Sequence, residues 1–156
     1  MIDLKFITIL LILIVLGNTV VYANTAIDDI DEFEWENRII LVNATLDNNG
    51  SRNTELQTLL GQNVEIEDRD IIWFFISSKP NSSNQNEFNI QTNSTRKLTP
   101  TFKNQIYSLV QNKSQQVILI GKDGGIKSRS KTLNLSDLFS QIDMMPMRIL
   151  EMQQGQ

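Results

Sequence analysis

The sequence predicts an α/β sandwich of order β-α-β-α-β-β-α, a mixed sheet with helices on both faces. Three observations carry this expectation. Ile39-Ile40-Leu41-Val42 and Ile71-Ile72-Trp73-Phe74-Phe75-Ile76 are continuous apolar runs, the pattern of strands buried on both faces. A stretch with helical spacing lies between them, which requires parallel strands joined by a right-handed crossover. Further along, Asp123-Gly124-Gly125 offers the left-handed dihedrals of a tight turn between two more strands.

The elements follow in order. Lys5 supplies a positive charge, Phe6 to Leu16 is apolar except for Thr8, and Gly17-Asn18-Thr19 breaks the run before Val21-Tyr22-Ala23. That is the pattern of a secretory signal peptide over residues 1–23, with a mature chain starting at Asn24. A spanning helix needs ~20 apolar residues, and Phe6 to Leu16 gives only 11 before the polar break. An uncleaved signal anchor over Phe6 to Tyr22 is the alternative and the only expected route to a membrane. Residues 24–36 form an acidic lead-in with Asp28, Asp29, Asp31, Glu32, Glu34 and Glu36 around Phe33 and Trp35. It reads as a solvated segment whose two aromatics pack on the domain edge. The domain itself is expected over 37–152.

Within it, Asn53 to Leu60 places Leu56, Leu59 and Leu60 at helical spacing, with Gly61 as the stop. Glu65 to Asp70 reads as a polar connection. Ser77 to Thr99, rich in Ser, Asn and Gln, is either an excursion or hides a short strand near Phe88-Asn89-Ile90. Thr99 caps a helix opened by Pro100, with Phe102, Ile106, Leu109 and Val110 as its stripe. Val117 to Ile120 and Ile126 to Ser130 are the hairpin strands. Asn134 or Ser136 caps a helix carrying Leu138, Phe139, Ile142 and Met145 inward, and Pro146 divides it from an amphipathic Met147 to Met152 segment. Taken together, this order is that of a thioredoxin-fold core.

Composition narrows the function classes. The net charge of −4 and the lack of a basic stripe give no electrostatic case for nucleic acid. There is no cysteine and no histidine, so the domain must be held by its core alone. Six Asn-x-Ser/Thr sequons (Asn43, Asn49, Asn81, Asn93, Asn112, Asn134) reflect a chain rich in Asn, Ser and Thr. Asn43 lies inside an apolar run that has no room for a glycan.

Four segments resemble one family. Trp35-Glu36-Asn37-Arg38, Arg69-Asp70-Ile71, Ile120-Gly121-Lys122-Asp123-Gly124-Gly125 with Lys127, and Ile142-Asp143-Met144-Met145-Pro146-Met147-Arg148 together are similar to the family named domain of unknown function 4174. The resemblance runs from about Phe33 to Met152. It implies a thioredoxin-like fold and export, with related domains in secreted sushi-repeat proteins, and brings no activity and no catalytic residues.

The permitted chemistry is narrow. Asn43 to Thr54, where a thioredoxin or peroxiredoxin keeps its thiolate, has no cysteine, and Gln115-Gln116 stands where thioredoxins place a cis-proline. Thiol exchange and thiol peroxidase activity are excluded. Imidazole triads and the common zinc sites cannot form without histidine. Glu65, Glu67, Asp68 and Asp70, with Arg69 among them, are the nearest carboxylate pairs for acid–base work, and read as a solvated face. Lys122-Asp123-Gly124-Gly125 lacks the strand-to-helix context of a phosphate loop, and a hairpin turn explains it. Met144, Met145, Met147 and Met152 could in principle ligate Cu(I), but methionine is also a common filler where a last helix meets a core, and packing is the preferred reading. No catalytic, cofactor-binding or metal residue is assigned, and no cofactor is expected.

The expected function is that of an exported, periplasmic or extracellular, redox-inactive thioredoxin-like domain acting as a non-catalytic binding module. Its partner would be a protein, peptide or surface component, met at the face near Thr45 to Arg52 and at the Ser77 to Thr99 loop. The alternative is a carboxylate-based hydrolase or transferase on the same face.

Overall fold

The computed structural model describes residues 26–44, 51–78, 88–110 and 116–155. The expected signal peptide, the sequons at Asn49, Asn81 and Asn112, most of the expected Thr45–Arg52 contact segment and residues 79–87 of the Ser77–Thr99 loop lie outside these residues. Among the described residues no helix is long and apolar enough to cross a membrane.

The chain is mixed α/β around a five-stranded mixed sheet. A 3-10 helix (Ile30–Phe33) precedes β1 (Arg38–Asn43), α1 (Ser51–Gly61), α2 (Asn63–Asp68), β2 (Ile71–Ser78), β3 (Phe88–Thr92), α3 (Pro100–Val110), β4 (Val117–Ile120), β5 (Ile126–Ser130), α4 (Leu135–Asp143) and α5 (Pro146–Gln154). The strand order is β3-β2-β1-β4-β5. β1 and β2 run parallel from Arg38 opposite Ile71, and the other pairs are antiparallel.

The continuous apolar runs form β1, β2 and β4, and their alternating side chains feed two cores. Ile40, Val42, Trp73, Phe75 and Leu119 face one, together with Leu59 of α1, Ile66 of α2 and Leu135, Leu138 and Ile142 of α4. Ile39, Leu41, Phe74, Ile76 and Ile118 face the other, under Phe102, Ile106 and Val110 of α3. Phe33, Phe74 and Phe102 meet there with ring centroids 5.1–6.2 Å apart. Thr99 caps α3, its Oγ1 accepting from the Phe102 N–H at 3.2 Å, and Asn134 caps α4 through the Asp137 N–H at 3.3 Å.

Several expectations are corrected or sharpened. The polar connection at 65–70 is in part the helix α2, which offers periodicity only one buried residue, Ile66, and is too short to register. The strand near Phe88 exists as β3, and Phe88 stacks on Tyr107 of α3 with centroids 3.9 Å apart. Leu60, expected inward, is exposed. The acidic lead-in keeps most of its carboxylates exposed, as expected, but its apolar residues are more deeply integrated than an edge. Ile27 is fully buried and bridges Leu98, Phe33 joins the core, and of the two aromatics Trp35 stays out, 66% exposed. Of the hairpin glycines only Gly124 has a left-handed φ, +71°. Asn43 is buried and its Nδ2 donates to the Val110 carbonyl at 2.9 Å, which leaves no room for a glycan. Asn93 receives the Trp73 N–H and donates to the Ile71 carbonyl, extending the edge of β2.

Candidate functional site

The four segments singled out by their resemblance meet at one place. β1 and β2 begin there, β4 ends there, and the α4–α5 junction closes over it. Pairing Arg38 with Ile71 and Ile39 with Ile120 puts Arg38, Asp70 and Lys122 side by side at this end of the sheet.

Arg38 is 1% exposed, on the face toward α1 and α4. Its Nη1 donates to the Arg69 carbonyl at 2.9 Å and its Nη2 to both oxygens of Glu151 in α5 at 3.2 Å. Lys122, 9% exposed, places Nζ 2.8 Å from Asp70 and 2.9 Å from Glu151. Burial alone would push the Lys122 ammonium down, but hydrogen bonds and charge from Asp70 and Glu151 outweigh it and hold it above the ordinary lysine range.

A second set adjoins the first. Arg69 donates through Nε and Nη2 to the two oxygens of Asp143 at 3.0 and 2.7 Å, and its guanidinium lies 4.7 Å from the centroid of the Phe139 ring. Arg148 is bonded to Asp68 by its side chain and reaches Asp143 at 3.4 Å and Glu151 at 3.8 Å. Burial raises the Asp143 carboxyl, yet hydrogen bonding and charge from Arg69, then from Arg148, prevail and keep it below the usual carboxylate range. Asp123 is likewise held low, chiefly by the hydrogen bond from Lys127.

The backbone around Lys122 is fixed in sparsely populated conformations. Among the described residues the two non-glycine positions with positive φ are Trp35 (67°) and Asp70 (50°). Both grip Lys122: the Trp35 N–H donates to its carbonyl at 2.6 Å, and the Asp70 carboxylate accepts from its Nζ. Asp tolerates the left-handed region, whereas a bulky indole there is an outlier held by its surroundings.

Beside the network lies a cavity of about 320 Å³, lined by Arg38, Lys122, Asp123, Lys127 and the Met145-Pro146-Met147 turn, with Gly121 at its floor. A Cβ on Gly121 would run into the Lys127 side chain, so glycine is what lets that lysine lie across the opening.

The site thus stands at the end of the sheet where the parallel pair begins, away from the Asn43 end of β1. Within the carboxylate run, Glu65, Glu67, Asp68 and Asp70 are all exposed as expected, and Asp68 and Asp70 are in addition engaged by Arg148 and Lys122. Met144 is exposed and Met145 packs against the core beside α4. Arg38, Glu151 and Arg148 were not assigned a role from sequence. Two signals were available: a charge set directly against a continuous apolar strand, and an Arg148/Glu151 pair at i, i+3 in the last helix.

A family model described as "Domain of unknown function (DUF4174)" matches residues 29–151. No curated protein and no solved structure matches the chain.

Proposed function

Since the chain belongs to the DUF4174 family, we propose that it is an exported, redox-inactive binding module on a thioredoxin-like scaffold. The parallel β1–β2 pair, the antiparallel β4 and β5 and the added edge strand β3 support that topology. So does the helix distribution, with α1 and α4 against one core and α3 against the other. Export rests on the amino-terminal pattern of Lys5, the Phe6 to Leu16 run and the Val21-Tyr22-Ala23 exit.

One observation carries the non-catalytic reading. Asp68, Asp70, Asp123, Asp143 and Glu151 around the site each lie within 4 Å of an arginine or lysine. A general acid near neutral pH needs a carboxyl raised toward 7 by burial or like charge. Here Asp123 and Asp143 are driven the other way. With no cysteine or histidine in the chain, carboxylates tied up in ion pairs favour recognition as the use of a preorganised charged cavity.

The test is purification of the protein from its host after cross-linking. A discrete partner joined at Lys127, on a chain starting at Asn24, is the expected result. Steady conversion of a co-purified metabolite by the pure protein would overturn the module, and an intact Met1 in the membrane fraction would overturn the export reading.

A further inference from the structure

We propose that the cavity between Arg38, Lys127 and the start of α5 binds a single carboxylate carried on a short apolar group. The inference deepens the binding-module reading and rests on it. Three independent features converge on this space.

The first is a helix start without a side-chain cap. Met145 is the N-cap of α5, makes no side-chain cap hydrogen bond, and is followed by Pro146 in the first turn. Met145, Pro146 and Met147 all line the cavity. The leading N–H groups of a helix have no partners within it, and its dipole favours an anion there.

The second is an unfilled donor. Arg38 lines the same cavity, is 1% exposed, and its buried Nε has no acceptor among the described residues. Its other two nitrogens are bonded to Arg69 and Glu151. A buried donor left open costs free energy unless something supplies the acceptor.

The third is charge balance and lining. With the adjoining Arg69 and Arg148 counted beside Arg38, Lys122 and Lys127, five cations face the five carboxylates around the site. With the fixed charges cancelled, the helix start and the open Nε–H are left to attract one negative charge rather than two. Beside its charged residues the cavity has a wall of Met145, Pro146 and Met147 that accepts an apolar body, and methionine adapts to its shape. A free organic acid and a peptide carboxyl terminus share this chemistry.

Amide NMR titrations of the full chain test it, with hexanoate for the free acid, N-acetyl-leucine for the peptide terminus, and hexanol, hexylamine and inorganic phosphate as controls. The two carboxylates should saturate shifts at Met147, Arg148 and Lys127, with hexanol and hexylamine weaker by about tenfold or more. The tighter of the two carboxylates identifies the source. Lys127→Glu, at a partly exposed position paired only with Asp123 among the described residues, should keep the fold and weaken both carboxylates by about tenfold. Arg38→Lys keeps the charge but has no Nε, and should lose binding while its amide spectrum stays dispersed. If Arg38→Lys does not fold, Lys127→Glu decides alone. Silence at these amides, equal binding of hexanol, tighter binding of phosphate, or an indifferent Lys127→Glu variant overturns the carboxylate site and leaves the module standing. Release of acetate from N-acetyl-leucine overturns the module as well.

Discussion

Removing Glu151 should cost more stability than removing the buried arginine it serves. In Glu151→Ala, Lys122 keeps Asp70 at 2.8 Å, but Arg38 loses its only carboxylate among the described residues while remaining 1% exposed. Stranding a buried charge in this way costs ~3–5 kcal/mol. In Arg38→Met the hydrocarbon stem is largely retained, and Glu151 keeps Lys122 at 2.9 Å and is a quarter exposed. What is lost is the charged hydrogen bond to the Arg69 carbonyl, ~1.5–3 kcal/mol. The double variant has no cation to strand and should be more stable than Glu151→Ala alone. Urea melts read this directly. With an m-value of ~2 kcal/mol/M, Glu151→Ala lowers the midpoint by about 1.5–2.5 M and Arg38→Met by about 0.8–1.5 M. An Arg38→Met variant at least as damaged as Glu151→Ala, or a double variant showing the plain sum of both losses, would refute the stranded-charge reasoning.

Three further outcomes are expected. Gly124→Ala should destabilise by ~1 kcal/mol or more, because φ is +71° and the new Cβ meets the Glu34 side chain; Glu34→Ala should restore only the steric part, read as a partial recovery in the same melts. Asp123 and Asp143 have depressed folded pKa values, so their stabilisation is present above the ordinary carboxylate value of ~4 and lost as pH falls through the depressed ones. Lys122 is raised, so its contribution is full below ~10.4 and lost as pH climbs through its folded value; a pH series of melts should show a plateau between about 5 and 10. Met147 is only half-buried at the cavity wall, so Met147→Ala should cost less than the ~2–5 kcal/mol of a fully buried truncation and Met147→Leu under ~1.5 kcal/mol, both by denaturant melts.

The sheet was legible where burial on both faces leaves an unbroken apolar run, as at Ile39–Val42 and Val117–Ile120. The start of α3 was legible because Thr99 and Pro100 are specific to a helix opening. α2 was not, since a six-residue helix that buries Ile66 alone has no period to detect. The site was visible as letters and hidden as chemistry. Arg38 and its partner Glu151 stand 113 residues apart, and nothing local at either position announces the other. The run from Glu65 to Asp70 reads as solvated, and its four carboxylates are indeed exposed. Only the fold separates Glu65 and Glu67 from Asp68 and Asp70, which turn toward Arg148 and Lys122.

The docking of the first described residues sets a clock on synthesis. The Ile27 N–H donates to the Lys97 carbonyl, the Thr99 N–H returns to Ile27, and the Ile30 N–H reaches Gln105, 75 positions further along. Lys97 and Thr99 stand just before α3 and Gln105 lies within it, so none of these partners exists until synthesis has passed β3. At ~5–20 residues per second, that interval is roughly 4–15 s, during which Ile27, Ile30 and Phe33 wait without a surface to join. Afterwards Ile27 is fully enclosed, four positions beyond Ala23. On the proposed cleavage at Ala23, a peptidase that meets the growing chain works before Ile27 is docked, whereas one that arrives later works four positions from a fixed Ile27.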